Sequence, residues 1–133
     1  MTPTLFDFRL LGDARGSLIA IEAEKTIPFK IARVYYIFGT QEGVERGFHA
    51  HKQLLQVAVA VRGSCTMMLD DGKTQCDVEL NDPQKAVLID RMVWHEMKNF
   101  SEDCVLLVLA DDHYDESDYI RNYQSFINTL QVM

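Results

Sequence analysis

The feature that most constrains this chain is how little sequence separates its apolar runs. Between residues 18 and 110 those runs are short, and none is followed by enough chain for a crossover helix before the next. Parallel strands need a crossover of about a dozen residues or more, so the pattern predicts antiparallel strands in a sandwich or barrel. Ile31–Phe38 reads IARVYYIF, rich in β-branched and aromatic residues, and stops at Gly39. Leu54–Val61 reads LLQVAVAV and stops at Arg62-Gly63. Ser64–Leu69 runs into Asp70-Asp71-Gly72, and Asp-Gly between apolar runs predicts a hairpin that returns along Gln75–Leu80. Asn81-Asp82-Pro83 ends that strand, and Ala86–Asp90 and Cys104–Ala110 supply two more.

The 133 residues fit one domain, and no Pro/Gly/Ser-rich linker, low-complexity tract or internal repeat divides them. Thirteen Lys and Arg against twenty Asp and Glu leave a net charge of −7. That balance opposes non-specific nucleic-acid binding and anionic membranes, so neither is an expected partner, though a local basic pocket remains open. The longest apolar run, Cys104–Ala110, is too short to span a bilayer. The start, MTPTLFDFRL, has charged residues where a signal peptide carries its apolar region, so no leader is expected. Cys65, Cys76 and Cys104 are odd in number and lie in apolar segments, which favours reduced thiols and a cytoplasmic setting.

The period changes at the C-terminus. Tyr119, Tyr123, Phe126, Ile127 and Leu130 fall on one face of a helix expected over about residues 117–130, with Ser117 or Asp115 as its cap. This stripe reads as core or interface rather than as a ligand site.

Four histidines are present, and His49 and His51 alternate in RGFHAHK. On a strand both imidazoles face one side, with Phe48 and Ala50 on the other, and small Ala50 suits a buried back. His95 in VWHEMKN can join the pair only through tertiary folding. The wider pattern Gly43-x5-His49-x-His51-x4-Gln56-x6-Gly63, with His95-x3-Asn99, matches the two cupin motifs. The chain thus resembles a small single-domain cupin, an all-β jelly-roll barrel over about residues 15–110 followed by the helix. It departs from the metal-binding cupins at Gln56, where they carry Glu, and at Asp90 and Met92, where they carry Pro and Gly. Three neutral imidazoles can still hold zinc or iron, but the carboxylate ligand is lost. The other reading leaves the imidazoles free for acid–base work near neutral pH.

A closer resemblance covers nearly the whole chain. Arg15-Gly16-Ser17-Leu18, RVYYIF at 33–38, RGFHAHK at 46–52, VWHEM at 93–97 and YDESDYIRNY at 114–123 occur together and in order. The set resembles the sugar-nucleotide 3,4-ketoisomerases, which act on dTDP-4-oxo-6-deoxyglucose in the making of unusual deoxysugars such as those of O-antigens. This resemblance implies an isomerase without a cofactor or metal, working as a homodimer that exchanges strands near the N-terminus. His51 is expected as the base at C3 with His49 as its partner, and sequence leaves the reverse order open. Tyr35 shares its strand face with Arg33 and is a candidate donor to the shifting oxygen, or simply a buried, satisfied tyrosine. Arg33 and Arg46 are candidates for the diphosphate. Arg15 and His95 are expected near the sugar, a pair that resembles the branch giving dTDP-3-oxo-6-deoxygalactose. Trp94 is expected either in the same cavity or in the core. Two rivals stand beside this reading: a metal-dependent cupin enzyme (a dioxygenase or an isomerase), and a non-catalytic cupin that binds a sugar nucleotide.

Overall fold

The computed structural model describes residues 1–133. Its strands are β1 (Leu5–Asp7), β2 (Leu11–Asp13), β3 (Gly16–Leu18), β4 (Arg33–Phe38), β5 (Arg46–His51), β6 (Gln56–Arg62) and β7 (Cys65–Asp70). They continue with β8 (Gln75–Leu80), β9 (Lys85–Ile89), β10 (Trp94–Lys98), β11 (Val105–Ala110) and β12 (Tyr119–Ile120), and the chain ends in α1 (Tyr123–Gln131). Two five-stranded sheets, ordered β1-β9-β6-β11-β4 and β12-β5-β10-β7-β8, pack face to face as a jelly roll, and β2–β3 forms a separate hairpin. All strand pairs in the sheets are antiparallel, as the short connections require. The hairpin at Asp70-Asp71-Gly72 also forms. Asp70 Oδ1 accepts the Gly72 N–H at 2.7 Å, and Asp71 Oδ1 accepts those of Lys73 and Thr74.

Side chains from both sheets fill the space between them. Ala58, Ala60, Val87, Leu106 and Val108 of the first meet Met67, Leu69, Val78, Leu80 and Met97 of the second. The back of the first sheet is covered by the segment carrying Ile27 and Phe29, together with Phe8. The back of the second is covered by α1, whose Phe126 is fully buried against Ala50, Met68, Trp94 and Ile120. No helix is long and apolar enough to cross a membrane.

Two expected boundaries move. The barrel begins at Leu5 rather than near residue 15, because β1 pairs with β9. The continuous helix over 117–130 is also replaced. Glu116–Asp118 forms a single 3-10 turn capped by Asp115, Tyr119 and Ile120 pair with His51 and Ala50, and only then does α1 start. The open edge of β5 supplies backbone partners that local helix propensity cannot outweigh. Asn122 caps α1 by accepting the Ser125 N–H at 2.9 Å.

Candidate active site

The histidine cluster is assembled by β5 and β10. His49 and His95 are cross-strand partners, and His51 lies two residues further along β5 on the same face. A bulge beside them gives Gly47 and Phe48 positive φ angles of 90° and 62°. A Cβ on Gly47 would stand 2.9 Å from the His95 carbonyl oxygen, so this close approach requires glycine. Candidate ligand nitrogens of His49, His51 and His95 all lie within 4.8 Å of one another. That spacing suits three ligands on one divalent ion. The motif's carboxylate position, however, is Gln56, whose Oε1 accepts the Tyr35 hydroxyl at 2.6 Å.

The three imidazoles differ in access. His51 and His95 are buried, whereas His49 is half-exposed. His49 lines a cavity of about 280 Å³ with Arg33, Tyr35, Ile37, Arg46 and Tyr119. Its Nδ1 stands 3.0 Å from the Gly47 carbonyl, which only accepts, so Nδ1 carries the hydrogen and Nε2 keeps its lone pair. His51 faces a second, smaller cavity of about 130 Å³ whose wall includes Asp112, His113, Asp115 and Asp118. Burial pushes the basicity of all three rings below the usual histidine value, with neighbouring imidazoles adding to the shift for His51 and His95. They are therefore neutral at pH 7 and able to accept a proton.

Alternation on β4 puts Tyr35 in the first cavity with Arg33, while Val34, Tyr36 and Phe38 face outward. Burial, then the nearby Tyr119, raises the Tyr35 phenol to about 12, so it keeps its proton and serves as a donor. The Arg33 guanidinium lies 5.3 Å from the Tyr35 ring centre and 5.9 Å from that of Tyr114. Neither Arg33 nor Arg46 forms a salt bridge, whereas Arg15, Arg62, Arg91 and Arg121 each meet a carboxylate. Two unpaired guanidiniums beside one cavity suit an anionic ligand.

Three expected residues lie elsewhere. Arg15 sits on the β2–β3 hairpin, with its side chain 91% exposed and 2.6 Å from Asp13 Oδ2, so within one chain it does not reach the histidines. Trp94 precedes His95 and so faces the opposite side of β10. Its ring packs on Tyr123 and Phe126 beneath α1, and its indole N–H donates to Glu96. Of the two readings given for Trp94, the core is the one that holds. His95 lies behind His49, with ring centres 4.5 Å apart, and lines neither cavity.

Sequence reasoning missed Tyr119 and Asp118. The helical spacing of Tyr119 hid its place in β12, where its ring lies 4.3 Å from His51 and 4.8 Å from His49. Gln56 was noted for the charge it lacks rather than for the hydroxyl it accepts.

Comparison with known proteins identifies the family. Residues 1–131 match the family described as FdtA, WxcM-like, C-terminal. The chain belongs to that family. It is 52% identical over 126 residues to the TDP-4-oxo-6-deoxy-alpha-D-glucose-3,4-oxoisomerase of Aneurinibacillus thermoaerophilus, covering 95% of this chain and 91% of that protein. A 3,4-ketoisomerase from Helicobacter canadensis superimposes with a TM-score of 0.95 at 44% identity, covering 98% of each chain. A mutant of the 3,4-ketoisomerase QdtA from Thermoanaerobacterium thermosaccharolyticum, in complex with TDP-4-keto-6-deoxyglucose, gives 0.95 at 42%, covering 98% of this chain and 94% of that one.

Proposed function

We propose that this protein is a dTDP-4-oxo-6-deoxyglucose 3,4-ketoisomerase. The observation that carries the reading is one cavity shared by a neutral imidazole with a free Nε2, a protonated phenol and two unpaired guanidiniums. The reaction removes protons from C3 and from the C3 hydroxyl, and delivers one to C4 and one to the C4 oxygen. All hydrogen moves as protons, so no redox cofactor takes part. The access of His49 to this cavity supports the reverse of the order expected from sequence, which sequence had left open: His49 takes the C3 proton, and the buried His51 is its partner in proton handling. Tyr35 releases Gln56 and donates to the oxygen on which enediolate charge develops. Arg33 and Arg46 hold the diphosphate.

Incubation with dTDP-4-oxo-6-deoxyglucose followed by NMR of the product tests the reaction. A ketone at C3 supports it, and unchanged substrate overturns it. The C4 configuration is read from the same spectrum. Arg15 and His95 carry the galacto assignment by resemblance, and a gluco-configured C4 removes it. Metal analysis of protein purified without added ions separates the metal-dependent rival, since stoichiometric iron or zinc counts for that rival.

The working unit in this reading is a homodimer. The β2–β3 hairpin pairs with no other strand, and its Leu11 and Leu18 are exposed, as are Val34, Tyr36 and Phe38 on edge strand β4. Apolar side chains along an open edge are what a second copy covers. Exchange of the hairpin would carry Arg15 to the partner's sugar site. Light scattering that reports a monomer at micromolar concentration overturns this arrangement. The three free cysteines fit a reducing, cytoplasmic setting.

A further inference from the structure

The cavity behind His51 has no part in the reaction as described so far, yet one of its walls is built with care. Asp118 closes the 3-10 turn before β12, and the loop after His51 clamps onto it. Its Oδ1 accepts the Gln53 N–H at 2.8 Å, its Oδ2 accepts the Leu54 N–H at 3.2 Å, and its backbone carbonyl accepts the Lys52 N–H at 3.0 Å. The carboxylate so held stands with Oδ2 3.4 Å from His51 Nδ1, in a place where its side chain is only 15% exposed. That nitrogen is buried and has no other partner.

We infer that Asp118 is a positioning residue that fixes the Nδ1–H tautomer of His51 and so keeps Nε2 as the proton-accepting atom of that ring. An ionised carboxylate only accepts, so a ring nitrogen facing it carries hydrogen. At 3.4 Å the pair is longer than a closed hydrogen bond, as catalytic contacts often are before substrate binds and tightens them. The groups packed around His51 otherwise oppose a proton on it. His49 and Arg33 both disfavour the charged ring, and Asp118 is the group that favours it. When a proton passes to His51 during turnover, the imidazolium gains a charge-assisted partner already fixed by two backbone donors. Asp118 touches no substrate in this scheme and acts only through His51. The proposal rests on the ketoisomerase reading for its effect on turnover, but not for the tautomer itself.

Asp118→Asn separates this role from a purely structural one. The amide oxygen still accepts the Gln53 N–H, while the amide nitrogen in place of Oδ2 gives up the Leu54 N–H, turns a donor toward His51 and demands a lone pair there, moving the ring hydrogen to Nε2. Two readouts are taken on wild type, Asp118→Asn and Asp118→Glu. One is ring 15N NMR of the ligand-free protein, with His51 assigned by its loss in His51→Gln. The other is steady-state isomerisation of dTDP-4-oxo-6-deoxyglucose.

In wild type His51 is protonated on Nδ1, and in Asp118→Asn on Nε2. The kcat of Asp118→Asn falls by about 10- to 1000-fold with KM within about threefold, and Asp118→Glu recovers part of the loss. A wild-type His51 protonated on Nε2, or an Asp118→Asn protein with unchanged tautomer and kcat, overturns the proposal. If Asp118→Asn does not fold, the wild-type tautomer and the partial activity of Asp118→Glu decide it. If wild type does not isomerise the sugar, the ketoisomerase reading fails, while the NMR tautomer still tests the role of Asp118.

Discussion

Two cavities flank the same histidines, and their walls differ in sign. The larger is lined by Arg33, Arg46, Tyr35 and His49 and has no carboxylate in its wall. The smaller, behind His51, gathers Asp112, Asp115 and Asp118. Arg33 borders both. In a chain of net charge −7, acidic residues have thus been kept from one patch and collected on its other side. An anionic ligand is drawn to the first cavity and repelled from the second, and the imidazoles stand on the boundary. The chain's overall charge describes its surface and not this site.

The largest expected effect falls on the cationic side. His49→Asn should lower kcat by about 1000-fold, within the range seen for lost general bases, with KM little changed. Turnover within tenfold of wild type would move the base to His51 and invert the comparison. Tyr35→Phe removes the donor without its ring and should lower kcat by about 10- to 100-fold. A larger rise in KM than fall in kcat would make Tyr35 a binding residue instead.

Arg46→Ala should raise KM by about tenfold or more, from loss of a charged hydrogen bond worth roughly 2 kcal/mol, with kcat nearly unchanged. Asp112→Asn, across the boundary, is the paired control and should leave KM within about twofold. Equal effects of these two changes would break the distinction between the cavities.

The smallest effect is on stability. Burial lowers the basicity of His49, His51 and His95 in the folded protein, so the unfolded chain binds more protons near pH 6. Their contribution is full above the unfolded value of about 6.5 and is lost as pH falls toward the lowered folded values. The Tm should therefore drop between about pH 6.5 and 5, before the carboxylates titrate. A flat Tm over that interval would mean that the rings are solvated.

How much of this was legible in the sequence depended on whether a residue's neighbours were local. The alternation of β4 was readable because a period of two needs only the strand itself, and Arg33, Tyr35 and Ile37 do share the inner face. The pairing of His49 and His51 was readable for the same reason. Tyr119 was misread because its four-residue spacing to Tyr123 satisfies a helix, while its actual partner, His51, is distant in sequence. Trp94 was ambiguous until β10 had a second face to point toward, and that face exists only because α1 covers it. Arg15 belongs to a hairpin that pairs with no other strand of its chain, so no pattern within one chain could locate it beside a site.

Ala50 separates the two histidines and is completely buried against the packing beneath α1. Strand β5 is therefore a thin wall with chemistry on one side and greasy packing on the other. Repacking Phe126, Ile127 or Leu130 shifts the wall, and with it the aim of His49 and His51, without altering any residue that meets the ligand. A lineage drifting at those helix positions can retune its active site from behind, and an engineer can do the same. Stabilising substitutions under α1 should accordingly be screened for turnover as well as for melting.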